Sequence, residues 1–144
     1  MYYETNCAEE TYLIGKKMGE AAQKGEIYCL DGDLGTGKTV FAQGFAAGLG
    51  VREAVNSPTF TIVQIYEEGR LPLFHFDVYR IAEPEEMEEI GYEDYFYGDG
   101  VCLVEWSELI AELLPAGAVH ICLSKEPTQG DDYRRIDIIT ETTI

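Results

Sequence analysis

Eight residues, Gly32-Asp33-Leu34-Gly35-Thr36-Gly37-Lys38-Thr39, bring three glycines, an ammonium and a hydroxyl together at a spacing suited to a large anion. The spacing is G-x-x-x-x-G-K-[ST], the P-loop or Walker A sequence. Glycines let the backbone curl around an anion with no Cβ in the way. Lys38 can then reach the outer phosphates as a point charge, and the Thr39 hydroxyl suits magnesium. The expected ligands are ATP and Mg2+. No N-K-x-D segment occurs to read guanine, which argues against GTP.

Phosphoryl chemistry at such a loop needs a further carboxylate at the end of an adjacent strand. Two qualify: Asp77 closes the apolar run Leu73–Phe76, and Glu105 closes Val101–Val104. Each resembles a Walker B acid, and the sequence does not rank them. Thr59, after Pro58, lies where P-loop switch proteins sense the γ-phosphate, although an ordinary hydroxyl turn fits equally well. His75 precedes Asp77 by two residues, so in a strand both point to one face. A lone histidine in an apolar strand reads first as a hydrogen-bonded core residue, and His120 reads only so. Trp106 reads as core or interface. Arg80, Arg134 and Arg135 could touch phosphate or base, or pair with surface acids.

The elements that must position these groups follow from periodicity. Glu26–Asp31 reads as a buried strand and Thr39 onward as a helix with Phe41, Phe45 and Leu49 on one face. Strand, glycine turn and helix N-terminus together aim backbone N–H groups at one point. Residues 6–24 read as an opening helix, with Asn6 as N-cap, Glu9 three residues on, and Gly25 as the stop. Residues 56–66 and 73–79, joined by Glu67-Glu68-Gly69-Arg70, read as a hairpin. Residues 84–97 read as a helix opened by Pro84 and broken at Gly91. Strand 101–106, a helix capped by Ser107 and running to Leu114, and strands 119–123 and 133–139 complete the chain. The expected fold is α/β: a P-loop NTPase-like three-layer domain over residues 1–144, with a central mostly parallel (mixed) sheet and an inserted β-hairpin.

The chain has 144 residues, 46% of them apolar, enough for a core without disulfides. Cys7, Cys29, Cys102 and Cys122 form no C-x-x-C pair, and three of them sit in apolar strand-like runs as expected small buried hydrophobes. No signal-peptide pattern and no membrane-length apolar run occur, so a cytoplasmic location is expected. The 27 acidic against 10 basic residues give a net charge of −17, which opposes direct binding to a nucleic-acid backbone. ATP is an anion too, but at physiological salt charges beyond about 8 Å are largely screened, so Lys38, the loop amides and magnesium decide the local balance.

The four blocks Gly32–Thr39, Ser57-Pro58-Thr59-Phe60, His75-Phe76-Asp77-Val78-Tyr79-Arg80 and Glu105-Trp106, in this order, resemble TsaE, formerly YjeE. That family comprises bacterial P-loop ATPases needed for threonylcarbamoyladenosine formation in tRNA. Cys7-Ala8-Glu9-Glu10-Thr11 is similar to the family's opening helix, although serine is more familiar at position 7. The resemblance implies a compact ATPase acting with TsaD and TsaB, which would hold the tRNA. It implies ATP at Gly32, Asp33, Leu34, Gly35, Thr36, Gly37, Lys38 and Thr39, with magnesium on Thr39 and Glu105. Asp77 would be the Walker B-like acid and Thr59 part of a switch, with further nucleotide contacts from Thr11 and Arg134. Two rivals stand beside this: a P-loop small-molecule kinase, disfavoured by only five arginines and no arginine-rich lid, and a nucleotide-gated assembly module with incidental hydrolysis.

Overall fold

The structure is a computed structural model describing residues 1–33, 35–56, 58 and 62–140. The expected switch residue Thr59, with Ser57, Phe60 and Thr61, and the loop residue Leu34 lie outside the described residues.

Among the described residues seven strands make one sheet in the order β1-β7-β6-β2-β5-β4-β3. They are β1 (Tyr2–Thr5), β2 (Ile27–Asp31), β3 (Val63–Tyr66), β4 (Leu73–Asp77), β5 (Val101–Glu105), β6 (Val119–Ser124) and β7 (Arg134–Thr140). The centre β6-β2-β5-β4 is parallel, while β3, β7 and β1 add antiparallel edges. Parallel strands buried on both faces read as unbroken apolar runs rather than alternating ones, and every residue of β5 is buried.

Side chains alternate between two cores. Tyr28, Leu30, Leu73, Leu103 and Ile121 meet Phe41, Phe45 and Leu49 of helix α2 (Lys38–Leu49). Cys29, Phe76, Cys102 and Val104 meet Met87 of α3 (Glu86–Glu89), Phe96 of α4 (Tyr92–Phe96) and Ile110 of a 3-10 helix (Ser107–Leu113). Cys29 and Cys102 are buried as expected, and burial beside Cys29 pushes the Cys102 thiol up to about 12. Cys122 is exposed instead, because Ile121 and Leu123 take the covered face of β6 and leave it on the other.

Helix α1 (Ala8–Ala21) packs on α2 at backbone distance. A Cβ on Gly15 or Gly19 would fall 2.4 or 2.1 Å from the carbonyl oxygens of Phe41 and Phe45. A Cβ on Gly44 or Gly48 would fall 2.1 or 2.2 Å from those of Tyr12 and Lys16. The two glycine pairs mesh, each filling the space the other leaves.

Several boundaries differ from the sequence reading. Cys7, not Asn6, is the N-cap of α1, and Glu10 accepts the Asn6 N–H at 2.6 Å. The helix stops at Ala21 rather than 24: Ala22 turns to an extended backbone (ψ 141°), and the Arg70 guanidinium takes the carbonyls of Gly19, Glu20 and Ala22 at 3.0, 3.2 and 2.9 Å. Gly91 adopts φ 69° and separates α3 from α4, as expected of a helix breaker. The segment after Glu105 is 3-10 rather than α-helical, and the Ser107 hydroxyl bonds Asp31 instead of capping it. Strand β1 has no counterpart in the sequence reading.

The hairpin β3–β4 is tied down at its tip. Glu68 accepts the backbone N–H groups of Arg52 and Glu53, and the Arg70 N–H donates to the Leu49 carbonyl at 2.6 Å.

Candidate active site

The glycine turn sits between the C-terminal end of β2 and the start of α2, the sheet edge where ligands of open α/β folds bind. Gly35 and Gly37 adopt φ 79° and 97°, which disfavour a side chain. At Gly32 a Cβ would lie 2.6 Å from the Leu123 carbonyl and 2.9 Å from Thr36 Oγ1. Thr36 Oγ1 donates to the Asp33 carbonyl at 2.8 Å and closes the turn. Gly37 is the N-cap of α2 with no side-chain cap, so the first-turn amides have no side-chain acceptor there.

Lys38 is 7% exposed, and its Nζ is buried without a hydrogen-bond partner among the described residues. It lies 3.8 Å from the centroid of the Trp106 ring, so Trp106 faces the loop lysine as well as the core. Tyr79 packs on the same ring at a tilt, centroids 4.8 Å apart. Thr39 is exposed at the first turn of α2.

The two candidate carboxylates come together. Asp77 and Glu105 are register partners on adjacent parallel strands, 5% and 4% exposed. Asp77 Oδ1 accepts the Tyr79 N–H at 3.0 Å, and Glu105 Oε2 lies 2.7 Å from His75 Nε2. The expectation that His75 is a buried, hydrogen-bonded residue holds, and its bond goes to a candidate site acid. Two non-glycine residues among those described have left-handed backbones, Ile62 (φ 69°) and Trp106 (φ 62°). Each flanks a carboxylate: Trp106 follows Glu105, and the Ile62 carbonyl accepts the Asp77 N–H at 2.8 Å. Such conformations cost about 1–3 kcal/mol and persist where surroundings enforce them.

On the other side of the turn is a cavity of about 170 Å³ lined by Cys7, Thr11, Thr36, Gly37, Val40 and Arg134. Thr11 is buried with its hydroxyl bonded to Thr5 Oγ1 at 2.8 Å. Arg134 Nε donates to the Thr36 carbonyl at 3.1 Å, and its other nitrogens reach Gly35, Asp131 and Tyr133 carbonyls. Both residues therefore border the glycine turn, Arg134 by holding its outer carbonyls.

Asp31 is a further residue of the site and lies outside the motif. Its carboxylate accepts the Ser107 N–H at 2.9 Å and the Ser107 hydroxyl at 2.7 Å, fixing the turn that carries Trp106. A carboxylate at a strand end directly before Gly32 was the available signal. Beside it, burial and the Asp31 charge raise the Glu108 carboxyl above its usual range.

The donor set fits a magnesium nucleotide. The orphaned Lys38 ammonium, the uncapped amides and the Gly32 cradle suit phosphate oxygens. Among the described residues no three His, Cys, Asp or Glu side chains gather as a metal cage. Magnesium commonly takes one or two carboxylates together with phosphates and water, and Thr39 with Glu105 or Asp77 can supply that.

The family model described as "Threonylcarbamoyl adenosine biosynthesis protein TsaE" matches residues 5–136. A Bacillus subtilis (strain 168) "tRNA threonylcarbamoyladenosine biosynthesis protein TsaE" is 50% identical over 128 residues, covering 89% of this chain and 78% of that protein. The Treponema pallidum protein of the same name is 44% identical over 116 residues, covering 81% of this chain and 85% of that one. The crystal structure of Bacillus subtilis YdiB superposes with a TM-score of 0.85 at 42% identity, covering 99% of this chain and 86% of that chain. With a glycine turn, paired strand-end carboxylates and this likeness over nearly its whole length, the chain belongs to the TsaE family.

Proposed function

We propose that this protein binds and slowly hydrolyses ATP in the formation of threonylcarbamoyladenosine in tRNA, acting with TsaD and TsaB type proteins that hold the tRNA. The observation that carries the reading is Lys38: a buried ammonium at the mouth of a glycine turn, with no hydrogen-bond partner among the described residues. A buried charge needs a counter-ion, and an outer phosphate of ATP would be one. Residues 32–39 would cradle the phosphates, and the cavity beside Thr11 and Arg134 would take the base end. Thr39 with Glu105 or Asp77 would hold magnesium, which would supply neutralisation of the phosphate charge. The remaining carboxylate would orient a water for in-line attack on the γ-phosphorus. The new oxygen–phosphorus bond forms as the bond to the β-phosphate oxygen breaks, and ADP leaves.

Arg134 is committed to the carbonyls of the turn, which argues against its serving as the arginine that stabilises the transition state. An arginine supplied in trans is worth about 10³–10⁵ in rate. ATP turnover measured with and without TsaD- and TsaB-type partners and tRNA should therefore be slow alone and rise in the complex. Fast hydrolysis by the isolated chain, or none under any condition, would sink the reading.

A further inference from the structure

His75 lies in β4 between Leu73 and Asp77 on the same face of the sheet, opposite Leu103 of β5. It is 1% exposed, its Nε2 is 2.7 Å from Glu105 Oε2, and its Nδ1 is buried with no partner among the described residues. A carboxylate only accepts, so Nε2 carries the hydrogen of this bond. The unpaired Nδ1 is informative. Leu73 and Leu103 beside it are apolar and fully buried, so a leucine at 75 would fill the same core without burying an unsatisfied nitrogen. The polar ring is therefore explained by what it does for Glu105.

We propose that His75 is a positioning residue: its ring Nε2–H pins one oxygen of Glu105 so that the other is aimed at the magnesium of the site. Glu105 reaches from the strand end on a stem of several rotatable bonds, and fixing it beforehand removes an ordering cost at ligand binding. Groups that hold a metal-binding side chain from behind typically contribute about 10–100-fold to metal affinity or activity. The inference rests on the proposed function and takes Glu105, of its two carboxylates, as the one that would bind magnesium.

The test is calorimetric titration of ATP into the full chain with magnesium and with EDTA, alongside turnover. The variants are His75→Leu, His75→Gln, His75→Asn, Glu105→Ala and the double variant Glu105→Ala/His75→Leu. Gln reaches as far as Nε2 and Asn does not. His75→Leu should lose about 10–100-fold in the magnesium-dependent part of ATP affinity, with affinity in EDTA unchanged. His75→Gln should restore most of it and His75→Asn little. In the Glu105→Ala background His75→Leu should add nothing. Magnesium dependence equal to wild type in His75→Leu, equal behaviour of the Gln and Asn variants, or an additive loss in the double variant would overturn the inference alone. If His75→Leu does not fold, the Gln–Asn contrast decides. Unchanged magnesium dependence in Glu105→Ala would instead overturn the Glu105 assignment, and the inference with it.

Discussion

Lys38 carries its ammonium into a place 7% open to solvent, over an indole face and with no hydrogen-bond partner among the described residues. An ion over an aromatic ring gains about 2 kcal/mol when desolvated, less than a charge-assisted hydrogen bond to phosphate can add in the same place. Lys38→Ala removes one such bond, about 1.5–3 kcal/mol, so titration should find ATP affinity lower by about 10- to 100-fold. Unfolding in the absence of nucleotide serves as the control for the fold. At Glu108 the effect is one of acidity. Burial and Asp31 raise its carboxyl in the folded protein, so the fold holds that proton more tightly than the unfolded chain does. Its contribution is complete below the ordinary carboxylate range and is lost as pH rises through the raised folded value. Glu108→Gln, which mimics the protonated form, should match wild type at acid pH and melt at higher temperature toward neutrality. Glu108 is exposed, so solvent keeps the difference small. The loop lysine and both acids were legible as residue types at strand and helix ends. The Trp106 contact with Lys38 and the Asp31–Ser107 bonds were not, because they join positions that only the sheet brings together.

Among the elements, the meshed glycines of α1 and α2 set the tightest tolerance. In an open helix, Gly→Ala is favourable by about 1 kcal/mol. At Gly44 the added methyl would stand 2.1 Å from the Tyr12 carbonyl oxygen, a backbone atom. Overpacking of this kind costs about 1–3 kcal/mol, so Gly44→Ala should lower the melting temperature despite its helix propensity, and scanning calorimetry would read the sign directly. Long apolar runs announced β2, β4, β5 and β6, and the Gly69 turn announced the hairpin. Strand β1 was invisible because Tyr2–Thr5 is four residues long and mostly uncovered, and its reason for being extended is the edge of β7. The 3-10 form of Ser107–Leu113 follows a left-handed Trp106, a conformation that local propensity does not favour for a bulky residue.

The whole molecule carries −17, and its field repels the ligand that the turn would receive. At about 10 mM ionic strength the Debye length is about 30 Å and at 0.15 M about 8 Å, so added salt hides the distant acids while leaving contact interactions. Association of Mg-ATP followed by stopped flow should therefore speed up over this range. A chain that bound tRNA by phosphate neutralisation would weaken steeply with salt; retention of tRNA by the isolated protein, with such a slope, would contradict the division of labour proposed here. The sign of the charge was readable from composition alone, but the sheltered spot where one lysine escapes it required the fold.

The tethered hairpin has a mechanical corollary. With its tip stitched through Glu68 and Arg70 to the ends of both glycine-meshed helices, and β4 laddered to β5 from Leu73 to Asp77, the hairpin is braced along one whole side as well as at its tip. Asp77 and Glu105 sit side by side on that braced frame.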